Sequence, residues 1–165
     1  MKFNSHKDIT VITILFNTPL KKIYNLRQYK NFNLIIFEQE PQSNSKNEIK
    51  NALNIQPKKV LKARDYLLVY ENQKEIEDIV VKREVFDQIN LNPGGVIVTA
   101  KGDNCDFVSR YFTPQATILE DPVTGSAHCT LTPYWSKILN KNKMNAQQIS
   151  ERKGELLCEI KKDRV

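Results

Sequence analysis

Residues 95–139 read GVIVTAKGDNCDFVSRYFTPQATILEDPVTGSAHCTLTPYWSKIL, and most of the architecture can be worked out from this segment. Two β-branched and aromatic runs, residues 96–100 and 105–112, are joined by a Gly-Asp-Asn turn, which predicts a β-hairpin. Residues 113–124 contain two prolines and no clear period, so we expect a loop. Residues 125–140 then carry apolar side chains at helical spacing, which predicts a helix with one buried face.

The predicted helix should be largely buried. Its apolar face is formed by Ala127, Leu131, Tyr134, Trp135 and Ile138. Pro133 interrupts the pattern, because proline has no backbone N–H and removes one intrahelical hydrogen bond. We therefore expect a kink in this helix, or its division at Thr132.

The flanking segments alternate between strand and helix patterns. Strand patterns occupy residues 8–16, 33–37 and 65–71. A capping box at Ser45 and Glu48 predicts the start of a helix, and helical spacing recurs in residues 72–89. A closing hairpin is predicted at residues 147–151 and 155–161. Strands mixed with helices in this order predict an α/β (α+β) fold.

The composition restricts the class of protein. A length of 165 residues predicts one domain at roughly 150 residues per domain, and 40% hydrophobic with 27% charged residues is typical of a soluble globular protein. No apolar run approaches the roughly 20 residues of a membrane span. The polar start MKFNSHKDITV does not resemble a secretion signal, so we expect a cytoplasmic protein. Three cysteines are too few for a disulfide scaffold.

The formal net charge of +6 raises the question of nucleic-acid binding. The basic residues form scattered pairs such as Lys21-Lys22 and Lys58-Lys59, without an arginine-rich stretch or interleaved aromatic residues. Phosphate-binding surfaces concentrate their charge on one face or along one helix. We therefore expect neither nucleic acid nor a membrane among the partners.

Residues 120–129 read EDPVTGSAHC and combine an acidic side chain with a helix start. Asp121 precedes a proline, which favours an extended conformation and places the carboxylate on a rigid loop. Thr124 can cap the helix, while Gly125 and Ser126 would present free N–H groups at its positive end. This arrangement suits proton abstraction next to a carboxylate, because the N–H groups both orient a substrate and stabilise developing charge.

A purely structural interpretation of the same motif is also open. Proline supplies rigidity, threonine a cap and glycine close packing, and most helix N-termini bind no ligand. Spacing alone does not choose between a helix start and a substrate site.

Three nearby side chains have alternative roles. His128, in the first helical turn, could contact substrate as a neutral donor or could pack and bond a nearby carbonyl. Cys129 could be a low-pKa thiol, although burial against the sheet is the expectation that we prefer. Arg110 could form a salt bridge or face a cleft. A zinc site built from His128 and the three cysteines has no recognised spacing, so we expect no metal.

The segment quoted at the start closely resembles the PhzF-like family, named for the phenazine-biosynthesis isomerase. The similarity continues through Ala146-Gln147 and the SERKGEL run of residues 150–156, and a weaker likeness reaches back to residues 66–70. A shared run of this length is far more specific than a single short motif.

The resemblance implies a fold like that of diaminopimelate epimerase: two pseudo-symmetric α/β halves, each a curved mixed sheet wrapped around a central helix, with the active site between them. Residues 125–139 would be the central helix of the second half. The resemblance also implies isomerase chemistry without a cofactor, in which a proton moves between carbons of a small carboxylate-bearing substrate. The position of Asp121 would then handle the proton, and Gly125 and Ser126 would bind the substrate.

The resemblance also implies motifs that this sequence lacks. Family members carry a glutamate in an Asn-Leu-Ser-Glu-Thr-like context and a Gly-His-Ala-Thr loop in their first half, and neither occurs here. We expect residues 1–50 to be a remnant of the first half and residues 51–165 to be the second domain without its last strands. The chain would be a truncated or split isomerase, partnered by a second copy or by a complementary first half. The alternative is an inactive remnant that serves as a binding or dimerising module.

Overall fold

The computed structural model describes residues 43–91, 94–161 and 165. Its elements, in chain order, are α1 (Ser43–Ala52), β1 (Lys59–Lys62), β2 (Tyr66–Val69), α2 (Gln73–Glu77), α3 (Arg83–Phe86), β3 (Val96–Lys101), β4 (Phe107–Phe112), α4 (Gly125–Leu139), β5 (Lys143–Gln148) and β6 (Gly154–Glu159). The strands form one six-stranded sheet in the order β1-β2-β3-β4-β5-β6. Within the described ranges, no helix is long and apolar enough to cross a membrane.

The sheet is mixed, as the family resemblance implied. Strand β2 pairs with β3 in parallel, and β4 pairs with β5 in parallel, whereas the other neighbouring strands are antiparallel. Each parallel pair requires a crossover, and the crossover between β4 and β5 contains α4. The predicted hairpin of β3 and β4 is confirmed, with Val96 opposite Phe112.

Helices cover both faces of the sheet, because successive side chains of a strand point to opposite faces. Leu67 and Ile97 pack on one face with Leu131 of α4. Leu68 and Val98 pack on the other face, in a cluster that includes residues of α1, α2 and α3. Strands buried on both sides read as continuous apolar runs, which is why β2 and β3 show little alternation.

Helix α4 remains a single helix across Pro133, so the expected division at Thr132 is wrong. The hydrogen bond that proline removes would have gone to the carbonyl of Cys129, a residue on the exposed side of the helix. Packing of the other side outweighs that loss. Trp135 stacks on Phe107 with ring centroids 5.8 Å apart, and its Nε1 donates to Thr99 Oγ1 at 2.9 Å.

Several predicted boundaries also differ from the structure. Residues 72–89 form two short helices, α2 and α3. They are separated because Val81, in the segment between them, forms an isolated β-bridge with Leu53. The closing hairpin lies at β5 and β6, a few residues before its predicted place, and β1 was not predicted. Helix α1 begins ahead of the expected capping box, and Ile138 is 58% exposed instead of buried. The strands expected at residues 8–16 and 33–37 lie outside the described residues.

Arg110 forms a salt bridge that ties β4 to two other segments. Its Nε and Nη2 each donate to the carboxylate of Glu120 at 2.8 Å, and its Nη1 donates to the carbonyls of Ile76 and Ile79 at 3.1 and 2.9 Å. The two side chains are only 16% and 20% exposed. The guanidinium therefore holds the end of α2 and the residue before Asp121 against the same strand.

Replacing Arg110 by methionine should destabilise the fold by about 3 kcal/mol, because it leaves the largely buried carboxylate of Glu120 and the carbonyl of Ile79 without the donor that Arg110 supplies. Urea unfolding measures this change. The control is Lys74→Met, which breaks the exposed pair of Lys74 with Asp78 and should leave the unfolding midpoint unchanged. Equal effects of the two substitutions would show that Arg110 does not hold these segments together.

Candidate functional site

The loop before α4 runs back along β4 and places Asp121 beside the sheet. The backbone N–H of Thr113 donates to Leu119 O at 2.9 Å, and that of Asp121 donates to Tyr111 O at 3.0 Å. Phe112 and Glu120 form an isolated bridge between these two contacts. The backbone of Asp121 is therefore fixed on both sides, and its side chain is half-buried.

Thr124 occupies the N-cap position of α4 without capping it. Its hydroxyl donates to Asp121 Oδ2 at 2.5 Å, and within the described ranges no side chain accepts a hydrogen bond from the first helical turn. Gly125 and Ser126 are exposed, and a Cβ added at Gly125 would meet no atom within 4 Å. In the described part of the chain, the positive end of the helix thus presents N–H groups without a partner, next to a carboxylate.

The β5–β6 hairpin contacts the loop of residues 121–124 and holds it in place. Gln148 accepts from the N–H of Thr124 at 2.8 Å and donates to the carbonyl of Asp121 at 2.6 Å. Ser150 Oγ donates to Pro122 O at 2.8 Å. Gly154 packs directly against Val123, and a side chain at that position would overlap it. Every residue of this loop is therefore in contact with the hairpin.

His128 lies one turn into α4 and is 4% exposed. Its Nδ1 is 2.9 Å from the carbonyl of Thr124, so Nδ1 carries the hydrogen and donates it. Its Nε2 is buried and has no partner among the described residues. Burial lowers the pKa of the imidazole, which favours the neutral form. The hydrogen bond to Thr124 O is the one that we expected if His128 packs within the helix. Contact of His128 with a substrate stays a prediction.

The cysteines do not form a site with His128. Cys129 is exposed, so its expected burial is wrong: it lies on the side of α4 opposite Leu131 and Trp135. Burial raises the pKa of the Cys105 and Cys158 thiols. In the part of the chain that the structure describes, no group of three or more His, Cys, Asp or Glu side chains could hold a metal ion.

The sequence analysis did not single out Gln148. Its strand was placed at residues 147–151, whereas β5 covers Lys143–Gln148. In the observed register Met144, Ala146 and Gln148 point to the same, buried face. A polar residue that continues a buried apolar row requires internal hydrogen bonds, and this signal could have identified Gln148 once the register was known.

Fold and site together define an α/β protein with a carboxylate beside an uncapped helix start. The profile of the PhzC-PhzF family, described as phenazine biosynthesis-like protein, matches residues 1–165 of the chain. The chain belongs to this family.

Similar proteins include two uncharacterized isomerases of Pseudomonas aeruginosa. They are 47% and 44% identical over 119 and 115 residues, covering 72% and 69% of this chain and 45% and 43% of theirs. A PhzF-family crystal structure from Enterococcus faecalis superposes with a TM-score of 0.70 at 40% identity, covering 79% of this chain and 48% of that one. A PhzC/PhzF structure from Clostridium difficile gives 0.68, also at 40% identity, over 78% and 47%. The chain thus spans about half the length of these relatives.

The buried imidazole of His128 predicts a pH dependence of stability. Because its pKa is lowered in the folded state, the unfolded chain binds the proton more readily, and stability should fall as the pH drops below 6.5 towards the folded value. Urea midpoints between pH 5 and 8 should show this slope in the native chain and a flatter one in His128→Gln. Equal slopes in the two proteins would mean that His128 is not held in its neutral form.

Proposed function

We propose that this chain is the second half of a PhzF-like isomerase site, which shifts a proton on a small carboxylate-bearing substrate without a cofactor. Asp121 exchanges the proton, and the N–H groups of Gly125 and Ser126 hold the substrate carboxylate. The observation that carries the proposal is the uncapped start of α4, whose cap residue Thr124 instead bonds Asp121. Membership of a family that includes proteins named as isomerases supports it.

The chemistry follows from where charge develops. When a base removes a proton from the carbon next to a carboxylate, the electron pair of the C–H bond moves onto the substrate and its negative charge grows. Unpaired N–H groups at a helix start are already oriented towards an anion, so they stabilise that charge without rearranging. Burial lowers the pKa of His128, one turn away, and favours its neutral form, so the stabilisation of this charge is left to the N–H groups.

The proposal assigns only one side of the site to this chain. Proton transfer between carbons requires a donor and an acceptor on suitable faces of the substrate, and Asp121 supplies one of them. A second group would come from a complementary first half or from a second copy of the chain. The alternative function is an inactive binding or dimerising module, in which no partner supplies the second proton-handling group.

A small dicarboxylate should bind at the start of α4 even in the isolated chain. Malonate titration should shift the amide resonances of Gly125 and Ser126, since their N–H groups are exposed and unpaired. Ser126→Pro removes one donor at a position where a helix tolerates proline, and should weaken binding by about 1.5–3 kcal/mol. Ser126→Ala keeps the N–H and should bind nearly as well as the native chain.

Two results of this titration would contradict the proposal. One is a native chain in which other amides respond while those of Gly125 and Ser126 do not move. The other is equal weakening by Ser126→Ala and Ser126→Pro, which would point to the side chain instead of the backbone donor.

The role of Asp121 can be tested by deuterium incorporation from solvent into small carboxylic acids. Combined with the first half of a Pseudomonas aeruginosa relative, the chain should catalyse this exchange. Asp121→Asn should lower its rate by about 10²- to 10⁴-fold without unfolding the protein, because the amide keeps the shape but does not exchange protons. The chain alone should show no exchange.

The controls separate the two candidate functions. Glu120→Gln changes the neighbouring carboxylate, and its effect should appear in stability through Arg110 instead of in exchange. Retained exchange in Asp121→Asn would reduce Asp121 to a residue of the helix start. Exchange by the unassisted chain would require a second proton-handling group within these residues.

A further inference from the structure

Gln148 lies at the end of β5, directly below the start of α4. Its side chain is 1% exposed and follows Met144 and Ala146 on the face of the strand that packs against the helix. Gln148 pairs with Ser109 of the parallel strand β4, and the N–H of Ile149 donates to Ser109 O at 2.9 Å. These contacts fix the position of Gln148 along the strand. The carboxamide is thus buried where the apolar row ends and the loop of residues 121–124 begins.

The partners of Gln148 determine which way its carboxamide is oriented. The backbone N–H of Thr124 is a donor, so the atom 2.8 Å away must be the oxygen of Gln148. The carbonyl of Asp121 is an acceptor, so the atom 2.6 Å away must be the Gln148 nitrogen. This nitrogen also donates to Thr124 Oγ1 at 3.3 Å. Every contact agrees with one orientation, and the flipped amide would place like groups against each other.

The same orientation constrains the hydroxyl of Thr124. Since the Gln148 nitrogen can only donate, Thr124 Oγ1 accepts from it and directs its own hydrogen to Asp121 Oδ2 at 2.5 Å. Turned towards Asp121 and Gln148 in this way, the hydroxyl makes no hydrogen bond to the first turn of α4. The side chain that holds Asp121 therefore also leaves the first-turn N–H groups free.

We propose that Gln148 is a positioning residue: acting through Thr124, it aims the carboxylate of Asp121 and keeps the start of α4 uncapped. This inference rests on the proposed function, because positioning matters only if Asp121 and the helix start form a site. The proposed arrangement also gives the two carboxylate oxygens of Asp121 different roles. Oδ2 accepts the hydrogen bond from Thr124, and Oδ1, which has no partner among the described residues, is the atom that takes the proton.

Gln148→Met tests the proposal, because methionine has a similar length but neither accepts nor donates these hydrogen bonds. The matched control is Gln147→Met: this adjacent glutamine points to the other face of β5, and among the described residues its side chain bonds only the exposed Glu155, at 3.3 Å. The measurements are hydrogen exchange of the Thr124 amide, the malonate dissociation constant from the Gly125 and Ser126 resonances, and the urea midpoint.

In Gln148→Met, exchange of the Thr124 amide should accelerate and malonate affinity should fall, each by about tenfold, under conditions where the protein remains folded. Gln147→Met should match the native chain. A lower urea midpoint for Gln148→Met, with Thr124 exchange and malonate affinity as in the control, would overturn the proposal, because it would leave Gln148 only a packing role.

A second pair of variants tests the same contacts without altering β5. Thr124→Ser keeps the hydroxyl and should retain native malonate affinity. Thr124→Val removes the hydroxyl at similar volume and should lose affinity as Gln148→Met does, because the Asp121 carboxylate, no longer held by Thr124, then competes with malonate for the N–H groups of α4. Equal affinity in both would overturn the proposed relay even if Gln148→Met fails to fold. If the native chain binds no malonate, the proposed function fails, and Thr124 amide exchange in Gln148→Met against Gln147→Met still decides whether Gln148 holds the loop.

Discussion

The packing of α4 against one face of the sheet is the constraint on which the rest of the structure depends. The stacked rings of Phe107 and Trp135, together with the hydrogen bond from Trp135 to Thr99, lock the middle of the helix to β3 and β4. A helix held at its centre has a fixed start, so the position of its first turn follows from core packing. The same packing outweighs the hydrogen bond lost at Pro133.

The start of α4 is less stable than it would be with a side-chain cap, and the packing of the helix does not require the cap to be missing. A threonine at the N-cap ordinarily accepts a backbone hydrogen bond, and losing that cap costs about 0.5–2 kcal/mol. Here Thr124 bonds Asp121 and Gln148 instead. Departures from local stability of this kind are expected at functional sites, where unpaired donors are needed for a ligand.

Local pattern predicted the elements that are long and strongly periodic and was less accurate elsewhere. Helix α4 was found because its apolar residues repeat over more than ten positions, and the β3–β4 hairpin because two β-branched and aromatic runs are joined by a Gly-Asp-Asn turn. The short helices α2 and α3 were merged, since the bridge between Leu53 and Val81 that separates them joins residues far apart in sequence. Asp121, Gly125 and Ser126 could be named from one contiguous motif, whereas Gln148 could not, because it reaches the site from another strand.

The amino-acid sequence by itself determined the fold class, the family resemblance and the segment in which a carboxylate precedes a helix start. These properties depend on the order of residues along one stretch of chain, so they can be read without coordinates. Only the tertiary structure decided that the Thr124 hydroxyl faces Asp121, that Arg110 is a largely buried salt-bridge residue, and that Gln148 bonds the loop of residues 121–124. Each of these depends on strand register, and register is set by pairing and burial between distant segments.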